Sequence, residues 1–143
     1  PDLGMALVHF EEAAALGNSK GMVDAGLVLW KLGRYADAVR WYKEAAELGE
    51  PVGVCNLGLA LWRGEGVGRD SQAAVGHFRR AALAGNTRAQ SMLGTAYKSG
   101  RGVPRPNDQG AVYWWGLAAQ GGCSKAMFNL AMEGARGGEG QGA

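Results

Sequence analysis

Two histidines, two cysteines and one glycine-rich loop are the residues of this 143-residue chain best suited to chemistry. His9 and His77 carry imidazoles that could pass a proton near neutral pH. Counted from the alanines around them, however, they occupy a position held elsewhere by Trp41 and Trp114. An imidazole that alternates with an indole reads as a packed aromatic. Cys55 and Cys123 have no His, Cys, Asp or Glu at metal-ligand spacing. They also fall at unrelated positions, so they do not make the regular staples of a secreted array, which points to an intracellular setting. Gly64-Glu65-Gly66-Val67-Gly68 has the look of a phosphate loop. Yet it follows a helical pattern where such a loop follows a strand, and no Lys-Ser pair comes after it. No nucleophile can be paired with a base, so the sequence predicts no catalysis, cofactor or metal.

The elements that carry these residues repeat. Ala6, His9, Phe10, Ala13, Ala14 is followed by Ala38, Trp41, Tyr42, Ala45, Ala46, by Ala74, His77, Phe78, Ala81, Ala82 and by Ala111, Trp114, Trp115, Ala118, Ala119. Each set follows i, i+3, i+4, i+7, i+8, one face of a helix. Each is closed by a glycine, Gly17, Gly49, Gly85 or Gly122, and successive sets are offset by 32, 36 and 37 residues. A second series, Gly26, Gly58, Gly94 and Ala131, runs at the same offsets. A period of this size predicts stacked helical hairpins, in which the small-residue segments are the leading helices and the alanine-aromatic segments the trailing ones.

The patterns place helices over residues 3–16, 20–32, 35–48, 51–63, 71–84, 87–99, 108–121 and 125–135. Ser19, Asp70, Asn86, Asn107 and Ser124 are the expected N-caps, and Pro51 suits a first helical position. The solenoid is expected over 1–135, with half-hairpins at both ends and a flexible glycine-rich tail over 136–143. The start at Pro1 reads as a fragment or processed form, and the half-hairpins leave apolar faces to be covered by further chain or a partner. No apolar run reaches the ~18 residues of a membrane span. Lysine plus arginine number 15 against 13 acids, too weak an excess to argue for nucleic acid.

Leu57-Gly58, Leu61, Gly64-Glu65-Gly66-Val67, Asp70, Ala74, Phe78, Ala81-Ala82 and Gly85 together resemble the Sel-1-like repeat, a branch of the tetratricopeptide repeat superfamily. The pattern recurs at Leu93-Gly94, Tyr97, Gly100-Arg101-Gly102-Val103, Asp108, Ala111, Trp114-Trp115, Ala118-Ala119 and Gly122. The shorter hairpin around Leu32-Gly33-Arg34-Tyr35 is more similar to an ordinary tetratricopeptide unit. The resemblance implies an all-α, right-handed solenoid used as a scaffold or adaptor. Met22-Val23-Asp24-Ala25-Gly26-Leu27 with Cys55-Asn56-Leu57-Gly58 is similar to plant and algal members that follow an F-box, although no F-box is present. That likeness implies the alternative of a ubiquitin-ligase substrate adaptor.

In such an array the leading helices line a concave groove. Once their core face is removed, a stripe remains: Val23, Leu27 and Trp30 in one unit and Cys55, Leu59 and Trp62 in the next. Its continuation is Ser91, Thr95 and Lys98, then Phe128 and Met132. Trp30 and Trp62 are the expected aromatic anchors for a protein partner, and Val23, Leu27 and Leu59 fit inter-repeat packing equally well. Lys20, Lys31, Arg63, Arg88, Lys98 and Lys125 around the stripe favour an extended acidic segment or a chain-terminal carboxylate. Asn56 and Asn129 share the position at which related arrays clamp a peptide backbone, but Met92 stands between them and breaks the series. The leading expectation is a non-catalytic interaction scaffold. The alternatives are a subunit built into a larger assembly and, disfavoured by the charge balance, an RNA-binding repeat.

Overall fold

The computed structural model describes residues 2–141, with side chains described from Asp2 to Arg136. The chain forms α1 (Leu3–Ala15), α2 (Ser19–Lys31), α3 (Tyr35–Glu47), α4 (Pro51–Arg63), α5 (Ser71–Leu83), α6 (Thr87–Ser99), α7 (Asp108–Gln120) and α8 (Ser124–Gln141). All described regular structure is helical. Each helix starts and stops where the local chemistry requires. Asp70, Asn86 and Asn107 cap α5, α6 and α7, their side-chain oxygens accepting from the backbone N–H of Ala73, Ala89 and Gly110.

Two expected caps are corrected. Asn18, not Ser19, caps α2, accepting from Gly21 N–H at 2.9 Å. Ser124 is the first residue of α8 rather than its cap. The reason is the preceding turn. Gly17 adopts φ +87°, so the first extended residue after it, Asn18, takes the cap position. Gly17 N–H then bonds Ala14 O and Asn18 N–H bonds Ala13 O, a Schellman closure repeated at Gly49, Gly85 and Gly122. The backbone of α8 stays helical to Gln141, beyond the end expected at 135 and into the stretch read as a tail. Residues 142 and 143 of that stretch lie outside the described residues.

Neighbouring helices pack antiparallel, α2 with α3, α4 with α5 and α6 with α7 as hairpins. The hairpins stack so that α2 also touches α4 and α6 touches α8, which puts the even-numbered helices on the inner side of the solenoid. A continuous core runs through the stack, with Leu29, Val54, Phe78 and Leu93 all but removed from solvent.

Within each hairpin the glycine of the leading helix faces the ring of the trailing one. A β-carbon at Gly58 would lie 2.8 Å from Phe78 Cε1, and one at Gly26 or Gly94 would collide with the ring of Tyr42 or Trp115. The helices therefore touch through backbone on one side and an aromatic ring on the other. Trp115 is anchored further, its indole N–H donating to Ser91 O at 3.2 Å.

Gly58→Ala is expected to destabilise the chain by roughly 1–3 kcal/mol through overpacking against Phe78. Gly76→Ala, in an exposed helix interior with nothing within 4 Å of the added carbon, is expected to stabilise it by about 0.5–1 kcal/mol. Urea denaturation of the two variants checks both signs, and a neutral Gly58→Ala would refute the close-packing account.

Candidate functional site

The expected aromatic anchors occupy different settings. Trp62 is only 9% exposed. Its ring meets Phe78 edge-on at 5.9 Å, and the guanidinium of Arg101 lies 3.8 Å over its face. Arg101 also donates to Trp62 O and, at 2.9 Å, to Ser71 Oγ. Trp62 is therefore an inter-repeat packing residue, which corrects its assignment as a partner anchor. Trp30 remains 39% exposed, packs on Tyr35 at 6.1 Å and donates its N–H to Glu65 Oε2 at 2.6 Å.

Both contacts come from the same place in consecutive repeats. Glu65 and Arg101 are the second residues of the Gly-x-Gly-Val loops, and each reaches back to the tryptophan of the preceding hairpin. The following glycines make this possible. At φ +77°, Gly66 lies against the backbone of Tyr35, and Gly102, at the same φ, against that of Ser71, so neither tolerates a β-carbon. Val67 and Val103 then pack on the core. The loop read as a superficial phosphate loop is thus an inter-repeat latch.

The remaining stripe residues divide. Val23 is buried with Ala14, Met22 and Ala45, and Cys55 is 1% exposed in the main core, so neither faces a partner. Burial pushes the Cys55 thiol up to about 11, partly offset by the nearby Arg88 cation. Leu27, Trp30, Lys31, Asn56, Leu59 and Arg63 do converge, on a cavity of about 230 Å3 between α2, α3 and α4. Tyr35, Tyr42, Glu65 and Arg88 line it too. Tyr42 carries a hydroxyl that burial raises to about 12 against the pull of Arg88. Tyr35 and Tyr42 belong to the trailing helix, so a search restricted to leading helices missed them.

The groove continues from this cavity past Ser91 and Lys125, still sharing Leu59, Arg63 and Arg88. Arg69, Arg101 and Thr95 border the next part. The Thr95 hydroxyl is turned onto its own helix, donating to Ser91 O at 3.2 Å. Lys98 is held by Glu133 at 2.8 Å and Asp108 at 3.2 Å. The Glu133 bond, then that to Asp108, raises the lysine pKa. Phe128 and Met132 are exposed on α8, outside the cavity.

Lys31, Arg63, Arg69, Arg88 and Lys125 have no carboxylate within salt-bridge distance among the described residues. The groove is therefore cationic although the chain is nearly balanced. His9 is exposed and His77 half-buried. Desolvation first, then the charge of Arg80, lowers the His77 pKa. Among the described residues no group of three or more His, Cys, Asp or Glu could hold a metal, and no helix is long and apolar enough to cross a membrane.

Latched, stacked hairpins of this kind define an α-solenoid repeat protein. The chain belongs to the Sel1 repeat family, whose model matches residues 1–18, 31–50, 51–86, 87–123 and 124–142. The one internal gap in the match, residues 19–30, lies in α2, the leading helix of the short hairpin. Chitin synthase regulatory factor 4 of Schizosaccharomyces pombe is 33% identical over 138 residues, covering 92% of this chain and 21% of that protein. The chain thus spans about one-fifth of that relative's length. A protective antigen of uropathogenic Escherichia coli with an SLR fold is 35% identical at a TM-score of 0.86, over 95% of this chain and 30% of that one. A Sel1 repeat protein from Oxalobacter formigenes is 33% identical at a TM-score of 0.81, over 90% of this chain and 54% of that one. Cysteine-rich protein B of Helicobacter pylori, 24% identical at a TM-score of 0.71, shares the fold over 90% of this chain and 95% of its own.

Arg101→Gln removes the cation from the Trp62 face and is expected to cost about 1–2 kcal/mol in chemical denaturation. An unchanged midpoint would show that the latch adds no stability. For the thiols, native protein at pH 8 should react with DTNB at half-buried Cys123 alone, and Cys55 should follow only in denaturant or as the pH nears 11. Rapid reaction of both thiols in native protein would contradict the burial of Cys55.

Proposed function

We propose that this Sel1-repeat segment is a non-catalytic scaffold that holds an extended, acidic segment of a protein partner along its inner groove. The observation that carries the reading is the row of basic side chains, Lys31, Arg63, Arg88 and Lys125, left without carboxylate partners beside apolar Leu27 and Leu59. An apolar floor with a cationic margin suits a chain that alternates apolar and acidic residues. The exposed anchor is Trp30 alone, since Trp62 is enclosed.

A second reading, a regulatory segment that docks on a larger enzyme, is supported by the 33% identity to a chitin synthase regulatory factor. It uses the same groove and differs only in the size of the partner.

Selection from a displayed library of random dodecapeptides tests the groove directly. Enriched peptides are expected to be acidic, with apolar residues between the acids. The triple variant Arg63→Glu/Arg88→Glu/Lys125→Glu should bind them at least tenfold more weakly, because each lost ion pair contributes about 0.2–1 kcal/mol and the reversed charges repel. Enrichment of basic or uncharged peptides, or full binding by the variant, would overturn the assignment. A tighter, salt-sensitive affinity for single-stranded RNA than for any selected peptide would instead favour the nucleic-acid alternative.

A further inference from the structure

The cations of the groove are not spread evenly. Arg63, Arg69, Arg101 and Lys125 line one cavity of about 390 Å3, and no carboxylate is among its lining residues. Two of these cations come from inter-repeat loops. Arg69 stands just before Asp70, the cap of α5, and Arg101 is the second residue of its Gly-x-Gly-Val loop, where the preceding loop carries Glu65. The same loop position thus supplies an acid at one level of the stack and a guanidinium at the next. Like charges gathered in one cavity repel, so their convergence opposes folding until an anion joins them.

Arg63, Arg69 and Lys125 make no ion pair among the described residues. Arg101 is fixed over the Trp62 ring at 3.8 Å. It donates through Nε to Ser71 Oγ and through Nη2 to Trp62 O, so its Nη1 keeps both N–H groups unmet among the described residues. Desolvation first, then the charge of Arg69, lowers the Arg101 pKa, in keeping with two guanidiniums near one another. A phosphate monoester carries about −1.5 to −2 charges at pH 7 and three acceptor oxygens, which suits converging guanidinium forks better than a singly charged carboxylate. Two other phosphate carriers fit less well. The Trp62 face on which a nucleobase would stack is covered by Arg101. The cavity is lined from α4, α6 and α8, on the inner side of the solenoid, which a flat lipid surface does not reach.

We propose that Arg69 and Arg101, with Arg63 and Lys125 beside them, form a phosphate site that receives a phosphorylated serine or threonine side chain of an extended partner segment. The carrier is a protein segment because the cavity is one station on a longer path. Arg63, Met92 and Lys125 are shared with the neighbouring cavity, which shares Leu59, Arg63 and Arg88 in turn with the cavity lined by Trp30. The inference rests on the reading of the groove as a peptide path. It adds a modification of the partner that switches binding on.

The test is a 1H–15N NMR titration of the folded chain with three peptides and with inorganic phosphate. The first peptide is acetyl-Asp-Leu-Asp-Leu-Ala-Ser-Leu-Gly-amide phosphorylated on its serine. The second is the same peptide without the phosphate, and the third has Glu in place of Ser. The Nε–H signals of Arg69 and Arg101 are identified by their loss in Arg69→Gln and Arg101→Gln. The expected result is a saturable shift of both signals with the phosphopeptide, which should bind about tenfold or more tighter than either other peptide. Arg69→Gln, at an exposed side chain without an ion pair, should lose about fivefold of that preference while the thermal midpoint stays unchanged. Arg69→Lys should keep part of it. Movement of groove backbone amides with all three peptides bound alike would overturn the phosphate site and leave the groove reading standing. A preference preserved in Arg69→Gln would overturn the role of the loop cations. Inorganic phosphate that shifts the two arginine signals at the affinity of the phosphopeptide would overturn the peptide source. No movement in the groove with any peptide would remove both readings.

Discussion

The solenoid depends on one contact, an aromatic ring pressed against a helix where a β-carbon is missing. Gly26 with Tyr42, Gly58 with Phe78 and Gly94 with Trp115 repeat it through three hairpins. Close approach at these points lets the alanines of the trailing helix, among them Ala38, Ala74 and Ala111, reach almost complete burial. Small residues on one helix and one large ring on the other give a dense interface with little rotamer freedom to lose. The spacing between helices then fixes where each Gly-x-Gly-Val loop lands, and the loops set one hairpin on the next. The inner groove has its width because all three levels agree.

Much of this was legible in the sequence because it is periodic. Helix type, order and number follow from apolar spacing, and the paired glycine and aromatic series gave the hairpins their register. Local punctuation was less secure. Ser19 and Asn18 are both good caps, and the choice between them depended on the left-handed turn at Gly17, which propensity alone does not weigh. The fate of Trp62 was hidden for a different reason. A tryptophan near a helix end reads as exposed when only its own helix is considered. It is covered by Arg101 from the loop of the following repeat, 39 positions on, with its guanidinium over the ring face. Contacts that reach back by one period leave no trace in a helical pattern. Val23 and Cys55 were read on the groove side for a similar reason, since a superhelix turns part of each leading helix into its neighbour.

The cations of the groove have a double origin. Lys31, Arg63 and Lys98 each stand in the last turn of a leading helix, α2, α4 and α6. There a positive charge offsets the partial negative charge of the helix C-terminus. The same placement repeats one cation per hairpin at nearly the same height along the inner wall. At α6 the charge is spent on Glu133 and Asp108, so the groove is most cationic around α4. Local helix electrostatics thereby produces a surface whose charge the overall composition does not foretell.

The latches also give the stack a mechanical grain. Glu65 ties the second full hairpin to the first, and Arg101 ties the third to the second. The α2–α3 turn, by contrast, is too short to carry a Gly-x-Gly-Val loop, so α1 meets α2 through side-chain packing and the capped turn at Gly17 and Asn18. Among the described residues the two terminal junctions, α1–α2 and α7–α8, lack such a latch, so the array under tension is a chain with riveted links at its middle and plain ones outside them.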